Sequence, residues 1–209
     1  MLDILSVLSR SDLKNDILKE LTEQHAALTR LAQRPGIDPE SLQSVLTELT
    51  AAVNGMQQLA TQFAGNLLRE NDFLTTVANR YGIPGGTCGF DLPTLHYWLS
   101  QPRKGLERDL DAWSADMRPF EHAILLYLRL LRESREPESV VAQRGMHIHN
   151  PSGACQLLRV HVPRSVSVYP EISASRHRFS IRFMSARDIN ARSQQVMTDI
   201  PFDMQCCAL

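Results

Sequence analysis

The stretch "SRHRFSIRF", residues Ser175 to Phe183, alternates between two kinds of side chain. Successive side chains of a β-strand point to opposite faces, so a period of two divides the stretch into a polar set and an apolar set. The polar set is Arg176, Arg178, Ser180 and Arg182, and the other set is His177, Phe179, Ile181 and Phe183. The stretch therefore predicts a strand with one face to bury and another face that carries three guanidinium groups.

The region around this strand is more basic than the chain as a whole. The 209 residues carry a formal net charge of −1, whereas a general nucleic-acid binder normally shows a basic excess over its whole domain. Between Arg164 and Arg192, six arginines face only two acids, Glu171 and Asp188. A local excess of this kind favours an acidic partner.

Strand-like runs lie on both sides of the opening stretch. They are short, rich in β-branched residues or alternating, and turn residues such as "NPSG" separate them. The runs are "QRGMHIH", "QLLRVHV", "SVSVYPEIS" and "DIPFDMQCC". Hairpins are the natural arrangement of such runs, so we predict an antiparallel β domain over residues 140–209.

The chain before this region has a helical period. Leucines recur at helical spacing from Leu2 to Leu31, until "RPG" ends the first predicted helix. Asp38 and Pro39 are suited to the cap and first turn of the next helix. Further helices are predicted near residues 67–80, 93–99, 106–113 and 120–132, and the charged "RESREPESV" is predicted to be a linker. The fold class is therefore α+β, with an α-helical domain over residues 1–136.

The cysteines and the first residues indicate a cytoplasmic protein. "MLDILSVLSRSD" lacks a basic start and has an acid within its apolar run, unlike a secretory signal. The four cysteines show no paired spacing, and the neighbours Cys206 and Cys207 are poorly placed to bond each other. Four reduced thiols are the expectation.

Two other groups of residues could carry chemistry. Cys88 precedes His96 by eight residues, and a thiol with an imidazole can form a nucleophile, but no orienting third group is evident. A metal site would need three or four converging ligands from His147, His149, Cys155 and His161, whose spacing is loose. We interpret these as structural residues: a buried thiol, a packed or pocket-lining histidine, and exposed strand histidines.

The arginine face has three possible interpretations. It is a solvated surface, a site for carboxylates, or a platform for single-stranded RNA. Arginine binds carboxylates through two parallel hydrogen bonds, whereas RNA platforms stack bases on aromatic residues of the basic face. Because Phe179 and Phe183 fall on the opposite face, the pattern favours an acidic peptide over RNA.

Two long motifs carry a resemblance to a known family. "IPGGTCGFDLPTLHYWL" and "VYPEISASRHRFSIRFM" resemble the ZapD family of bacterial cell-division factors. Weaker similarity runs through "SRSDLKNDILKELTEQ", "RPGID", "LLREN" and "FDMQCC", so the resemblance covers most of the chain in order.

The resemblance implies a non-enzymatic protein without a cofactor or a metal. The family forms homodimers, binds the C-terminal tail of the tubulin-like division GTPase FtsZ, and bundles its protofilaments at midcell. It implies a basic pocket that in this chain would use Arg10, His96, Arg178 and Arg182, with Arg176 beside them. The family also has a helical segment before the position where this chain starts, so the helical domain is expected to lack that part.

Two competing functions follow from the residues alone. An RNA-binding regulator would use the same basic strand, and a Cys88-dependent hydrolase would use the pair with His96. We rank both below an FtsZ-binding crosslinker. We therefore predict neither nucleic-acid binding nor membrane insertion for this chain.

Overall fold

A computed structural model describes residues 2–8, 12–32, 36, 38–60, 70–175, 178–185 and 192–209. The chain divides into two compact units, Met1–Tyr127 and Leu128–Leu209. Helices fill the first unit and antiparallel strands dominate the second, which confirms the predicted α+β class.

The described helices lie close to where the hydrophobic period predicts them, and residues 67–69 of the predicted helix 67–80 lie outside the described residues. Their bounds are α1 Leu2–Leu8, α2 Leu13–Leu31, α3 Pro39–Gln58, α4 Asp72–Tyr81, α5 Pro93–Leu99, α6 Arg103–Ser114 and α7 Arg118–Glu133, with a 3₁₀ turn at Ala115–Met117. The predicted continuous helix from Leu2 to Leu31 is wrong, because α1 and α2 are separate helices. None of the described helices has both the length and the apolar character that crossing a bilayer requires.

Local capping explains two of these helix starts. The Asp38 side chain accepts hydrogen bonds from the backbone N–H groups of Glu40 and Ser41, each at 3.3 Å, as its predicted role requires. Asn71 caps α4 in the same way, accepting from the N–H of Leu74 at 3.0 Å. In the first unit, α2 packs against α3, and the Tyr127 hydroxyl donates to Glu20 of α2.

The strands of the second unit form two three-stranded antiparallel sheets. Their bounds are β1 Glu138–Ala142, β2 Met146–His149, β3 Leu157–His161, β4 Val168–Ala174, β5 Phe179–Ser185 and β6 Ile200–Cys207. The orders are β1-β6-β3 and β2-β5-β4. Strand β1 begins within the predicted linker. The sequence pattern did not predict this start because the apolar run "VVA" is short and follows the acid-rich "REPES".

A tight turn connects β1 of one sheet to β2 of the other. Arg144 has φ 50° and Gly145 has φ 72°, the left-handed conformation that two-residue hairpin loops need at both positions. A Cβ at Gly145 would lie 2.1 Å from the backbone oxygen of Val196, so only glycine fits there. The turn therefore lets the chain pass directly from β1 of the first sheet to β2 of the second.

Strand β5 is the centre of the second sheet, and its hydrogen bonds alternate between two neighbours. The Ser175 N–H bonds the Arg178 oxygen on the β4 side at 2.9 Å, and the Phe183 N–H bonds the Gly145 oxygen on the β2 side at 2.8 Å. Because the hydrogen-bonding groups of Phe183 point towards β2, those of Pro170, which is opposite Phe183 on β4, point away from β5. Since proline has no N–H, this edge of the sheet lacks one donor.

The core of the second unit lies between the inner faces of the two sheets. It consists of Ala142, Ile181, Phe183, Ile200, Phe202 and Met204. The rings of Phe183 and Phe202 lie 5.0 Å apart across the sheets. Phe179, Ile181 and Phe183 are all buried, so the predicted apolar face of β5 is confirmed for these residues, while His177 lies outside the described residues.

The prediction of four reduced thiols is wrong for one pair, since Cys155 is disulfide-bonded to Cys206. Their separation of 51 residues gives no signal in the sequence, but β3 pairs with β6 so that Leu158 faces Cys206. The pairing therefore brings the segment just before β3 against the end of β6. Cys88 and Cys207 are free thiols, exposed and buried respectively.

The end of α7 is tied to β6 by one buried amide. The Gln205 side chain donates to the backbone oxygens of Arg132, at 2.7 Å, and Arg135, and it accepts from the Arg159 guanidinium at 2.7 Å. Buried polar groups of this kind are costly unless they are satisfied, so the amide holds the segment after α7 in one position.

The prediction that the β2 histidines are exposed is also wrong. His147 lies partly buried, with its ring 5.5 Å from Phe202 and 6.3 Å from His149, and its Nε2 atom is buried without a hydrogen-bond partner. Burial first, and then the positive charge of His149, hold the pKa of His147 below 6.5, while the Val141 backbone and Glu138 oppose this shift. The burial of His147 therefore favours the neutral form of its ring.

Replacing Phe183 with alanine should destabilise the second unit by ~3–5 kcal/mol, because a buried phenyl ring leaves a cavity that a packed core fills poorly. Urea unfolding of Phe183→Ala measures the change. The matched substitution Arg182→Ala, one residue away on the exposed face, should change the free energy of unfolding by about 0.5 kcal/mol or less. Equal losses for both variants would contradict the assignment of the two faces.

The free energy of unfolding should fall as the pH drops below 6.5. Below this pH the unfolded chain protonates His147 before the folded protein does, so protons favour unfolding until the lowered folded-state pKa is passed. His147→Gln should therefore flatten the stability curve between pH 7 and 5, measured by urea unfolding. His161→Gln, at an exposed position on β3, should leave the slope unchanged.

Candidate functional site

The outward face of β5 carries the two described arginines of the predicted site. Arg182 is exposed between the buried residues Ile181 and Phe183, and Arg178 is exposed immediately before the strand begins. In extended backbone, four residues at ~3.4 Å each span about 14 Å, and Ser180 lies between the two arginines on the same face. The structure therefore exposes Arg182 within β5 and Arg178 one residue before it.

A carboxylate of β4 lies beside one of these arginines. Glu171 is directly opposite Arg182 in the register, and its Oε2 atom lies 4.0 Å from Nη2 of the arginine. Both side chains are about half exposed, so the pair is hydrated and contributes little stability. The contact is long and weak, which leaves the guanidinium hydrogen bonds available for a better-placed carboxylate.

The register adds outer-face neighbours that the pattern of β5 alone cannot predict. On the β2 side, Met146 lies opposite Arg182 and Ile148 lies opposite Ser180. On the β4 side, Tyr169 lies opposite Met184, and its hydroxyl donates to the Ser193 hydroxyl at 2.6 Å. Sequence reasoning missed Met146 and Ile148 because β2 and β5 are distant in sequence. It missed Tyr169 and Met184 because the alternation of β5 does not give the register in which β4 pairs with it.

A shallow cavity opens beside the β4–β5 hairpin that carries Arg178. Its volume is about 590 Å³, and its walls are the loop 151–156, Ser175 and Phe179. Ser175 donates to the Arg178 backbone oxygen through both its N–H and its hydroxyl, so these two residues are held together beside the cavity. Cys155 lies in the opposite wall, where the disulfide holds the loop.

Of the remaining predicted site residues, two lie outside the described residues and one belongs to the first unit. Arg10 and Arg176 lie outside the described residues. His96 belongs to the first unit, whereas Arg178 and Arg182 belong to the second. His96 is exposed on α5, where a Cβ at Gly89 would lie 3.5 Å from its ring.

Aromatic packing holds α5, the helix that carries His96. The rings of Phe73, Trp98 and Trp113 lie 5.4–5.6 Å apart in pairs, and the Trp98 N–H donates to Asp109 at 3.1 Å. This hydrogen bond, together with the neighbouring Arg108, holds the pKa of Asp109 below its usual value. His96 is therefore presented on a firmly anchored helix.

The alternative chemistries receive no support from side-chain geometry. Cys88 is exposed rather than buried as its structural interpretation required, and among the described residues no three potential ligands gather into a metal site. Cys155, a candidate ligand, is bonded to Cys206. The exposed arginines can bind an anion. For stacking nucleic-acid bases, the outward face has Tyr169 as an aromatic neighbour, whereas Phe179 and Phe183 are buried on the opposite face.

A family model and individual relatives of this chain point to the same family of proteins. The family model described as "ZapD: Cell division protein" matches residues 1–182. The cell division protein ZapD of Azoarcus sp. (strain BH72) is 39% identical over 208 residues, which cover 99% of this chain and 82% of that protein. The ZapD proteins of Bordetella petrii and Coxiella burnetii (strain RSA 493) are 38% and 34% identical, each over 100% of this chain and 82% of its relative.

The matched range contains both arginines of the β5 face, and each of these relatives aligns with nearly every residue of the chain. These matches confirm the resemblance that the two long motifs carry. The chain belongs to the ZapD family of cell division proteins.

Proposed function

We propose that this cell division protein binds FtsZ through its C-terminal tail and crosslinks FtsZ protofilaments as a homodimer, without catalysing a reaction. The observation that carries the proposal is the pair of exposed arginines, Arg178 and Arg182, on the outward face of β5. Guanidinium groups suit the carboxylates of an acidic tail. His96, Arg10 and Arg176 are proposed as further basic contacts, and the protein would act in the cytoplasm at midcell.

The strength of single contacts shows why two copies of the site matter. One exposed ion pair contributes only ~0.2–1 kcal/mol, whereas micromolar binding needs about 8 kcal/mol. A dimer presents two sites to a polymer that repeats its tail along its length. Linking two sites raises avidity by ~10²–10⁴ without any new contact, and two sites on different filaments produce a bundle.

The proposal ranks above RNA binding because of the geometry of β5. An RNA platform stacks several bases on aromatic rings of the basic face, while two of the aromatic rings in this stretch lie in the core. A carboxylate needs only the guanidinium groups, which are exposed at both positions.

Bundling of FtsZ should depend on both the tail and the arginines. Mixing the protein with polymerising FtsZ should raise light scattering and bring the protein into the pellet, and FtsZ without its tail should do neither. Arg178→Ala combined with Arg182→Ala should lower tail affinity at least tenfold, which costs about 1.4 kcal/mol, and so abolish bundling.

The matched control removes two exposed positive charges elsewhere. Arg103→Ala with Lys104→Ala on α6 should bundle FtsZ as the unmodified protein does. Circular dichroism should show an unchanged fold for both double variants. Equal bundling of full-length and tail-deleted FtsZ would show that the tail is not the ligand.

Affinity for the tail should fall with salt. Screening shortens the reach of charge attraction from ~30 Å at 0.01 M to ~8 Å at 0.15 M ionic strength, so arginine–carboxylate contacts weaken in this range. Fluorescence anisotropy with a labelled tail peptide measures the effect without the salt dependence of FtsZ assembly. The salt slope should be smaller for the Arg178→Ala, Arg182→Ala variant. A salt-independent affinity would mean that charge does not drive the binding.

A further inference from the structure

Two exposed apolar side chains lie next to the arginine face. Met146 and Ile148 on β2 are 37% and 48% exposed, although both lie within a strand of the sheet. Their neighbour His147 faces inward, towards Phe202 of the other sheet. Met146 and Ile148 therefore face outward on the same surface as Arg182.

The hydrogen-bond pattern places Met146 and Ile148 close to the residues of β5 that lie opposite them, Arg182 and Ser180. The Phe183 N–H bonds the Gly145 oxygen, so the alternating pairs Met146–Arg182 and Ile148–Ser180 are the non-hydrogen-bonded kind. Such pairs have Cα atoms only ~4.5 Å apart, about 1 Å closer than hydrogen-bonded pairs, and their side chains approach most closely. Met146 is thus directly opposite Arg182 in the register, in the closer kind of pair.

Charge makes the two flanks of Arg182 unequal. On the β4 flank, the Glu171 carboxylate lies 4.0 Å from the guanidinium and repels a second carboxylate. On the β2 flank, the neighbours are uncharged and apolar. An acidic ligand that binds Arg182 is therefore directed towards β2, where its adjoining residues cover Met146 and Ile148.

We infer that Met146 and Ile148 form the apolar half of the peptide site, and that the site selects an extended acidic peptide with an apolar side chain next to its carboxylate. This inference rests on the proposed function and extends it to the specificity of the site. The occupant is the tail of FtsZ, favoured over a second copy of this chain because the cationic Arg178 and Arg182 of this face complement an acidic peptide and repel the same face of another protomer.

The spacing of the site defines the ligand further. Met146 and Ile148 are two residues apart on one strand, about 7 Å, which equals the repeat of side chains on one face of an extended peptide. A peptide in this conformation places alternate side chains on the sheet, so an acid over Arg182 and apolar residues over β2 can be engaged together. The arginines supply charge attraction, and the apolar residues supply burial that salt does not screen.

The test uses a labelled synthetic peptide of the FtsZ tail in three forms. One has the native sequence, one has its acids replaced by amides, and one has its apolar residues replaced by serine. The protein variants are Met146→Gln with Ile148→Thr, the conservative Met146→Leu with Ile148→Val, and Leu209→Thr as a control. Leu209 is 42% exposed at the end of the chain, after β6 of the other sheet.

The polar double variant should bind the native peptide about tenfold more weakly, the loss expected for exposing about two methylene groups. The conservative variant and Leu209→Thr should bind within about twofold of the unmodified protein. The serine peptide should lose affinity for the unmodified protein but not for the polar variant, which is the signature of a direct contact in a double-mutant cycle. This tenfold ratio should persist in about 0.5 M salt, where the contribution of the arginines shrinks.

The possible failures are distinguishable. If the native peptide does not bind the unmodified protein, the proposed function and this inference are both wrong. If binding depends on Arg178 and Arg182 but is equal for the polar variant, only this inference is wrong. A loss without coupling to the serine peptide, or a changed oligomeric state in analytical ultracentrifugation with peptide binding intact, would assign the two residues to folding or to a contact between protomers, and would overturn the inference.

Discussion

The central constraint of the second unit is the antiparallel register of β5 between β2 and β4. This register buries Phe179, Ile181 and Phe183 in the core, and by the same alternation it exposes Arg182. A shift of one residue would exchange the two faces and place a guanidinium group in the core. Burial of the apolar face therefore fixes the direction in which the arginine points, and the stability of the unit and the geometry of the site have one cause.

Structural features that depend on nearby residues, such as a strand's alternation or a helix cap, can be predicted from the sequence. The alternation of β5, the cap at Asp38 and the helix that starts at Pro93 could all be predicted from the residues themselves. The β2 neighbours of β5 could not, because Met146 meets Arg182 through the pairing of two strands that are far apart in the sequence. The bond between Cys155 and Cys206 escaped prediction for the same reason, as β3 and β6 meet only in the folded unit.

The ion pair on the arginine face is weak, and this suits the proposed reversible binding of a partner. A half-exposed pair such as Arg182 and Glu171 exchanges readily with water and with other carboxylates. Tight binding at one site would release a filament only slowly. With several weak sites, each site would dissociate rapidly while the others keep the filament bound. The shallow, open surface around β5 is consistent with such exchange, as it has few enclosed contacts to break.

The missing donor at Pro170 has a consequence for the assembly state of the protein. An exposed strand with all its donors is a template on which another sheet can add, and growth from edge to edge leads to fibres. Strand β4 interrupts that template at its third residue, Pro170, on the side that faces away from β5. A protein proposed to act on a growing polymer has to stay a discrete particle at high local concentration, and a single imino acid at the sheet margin works against uncontrolled self-association.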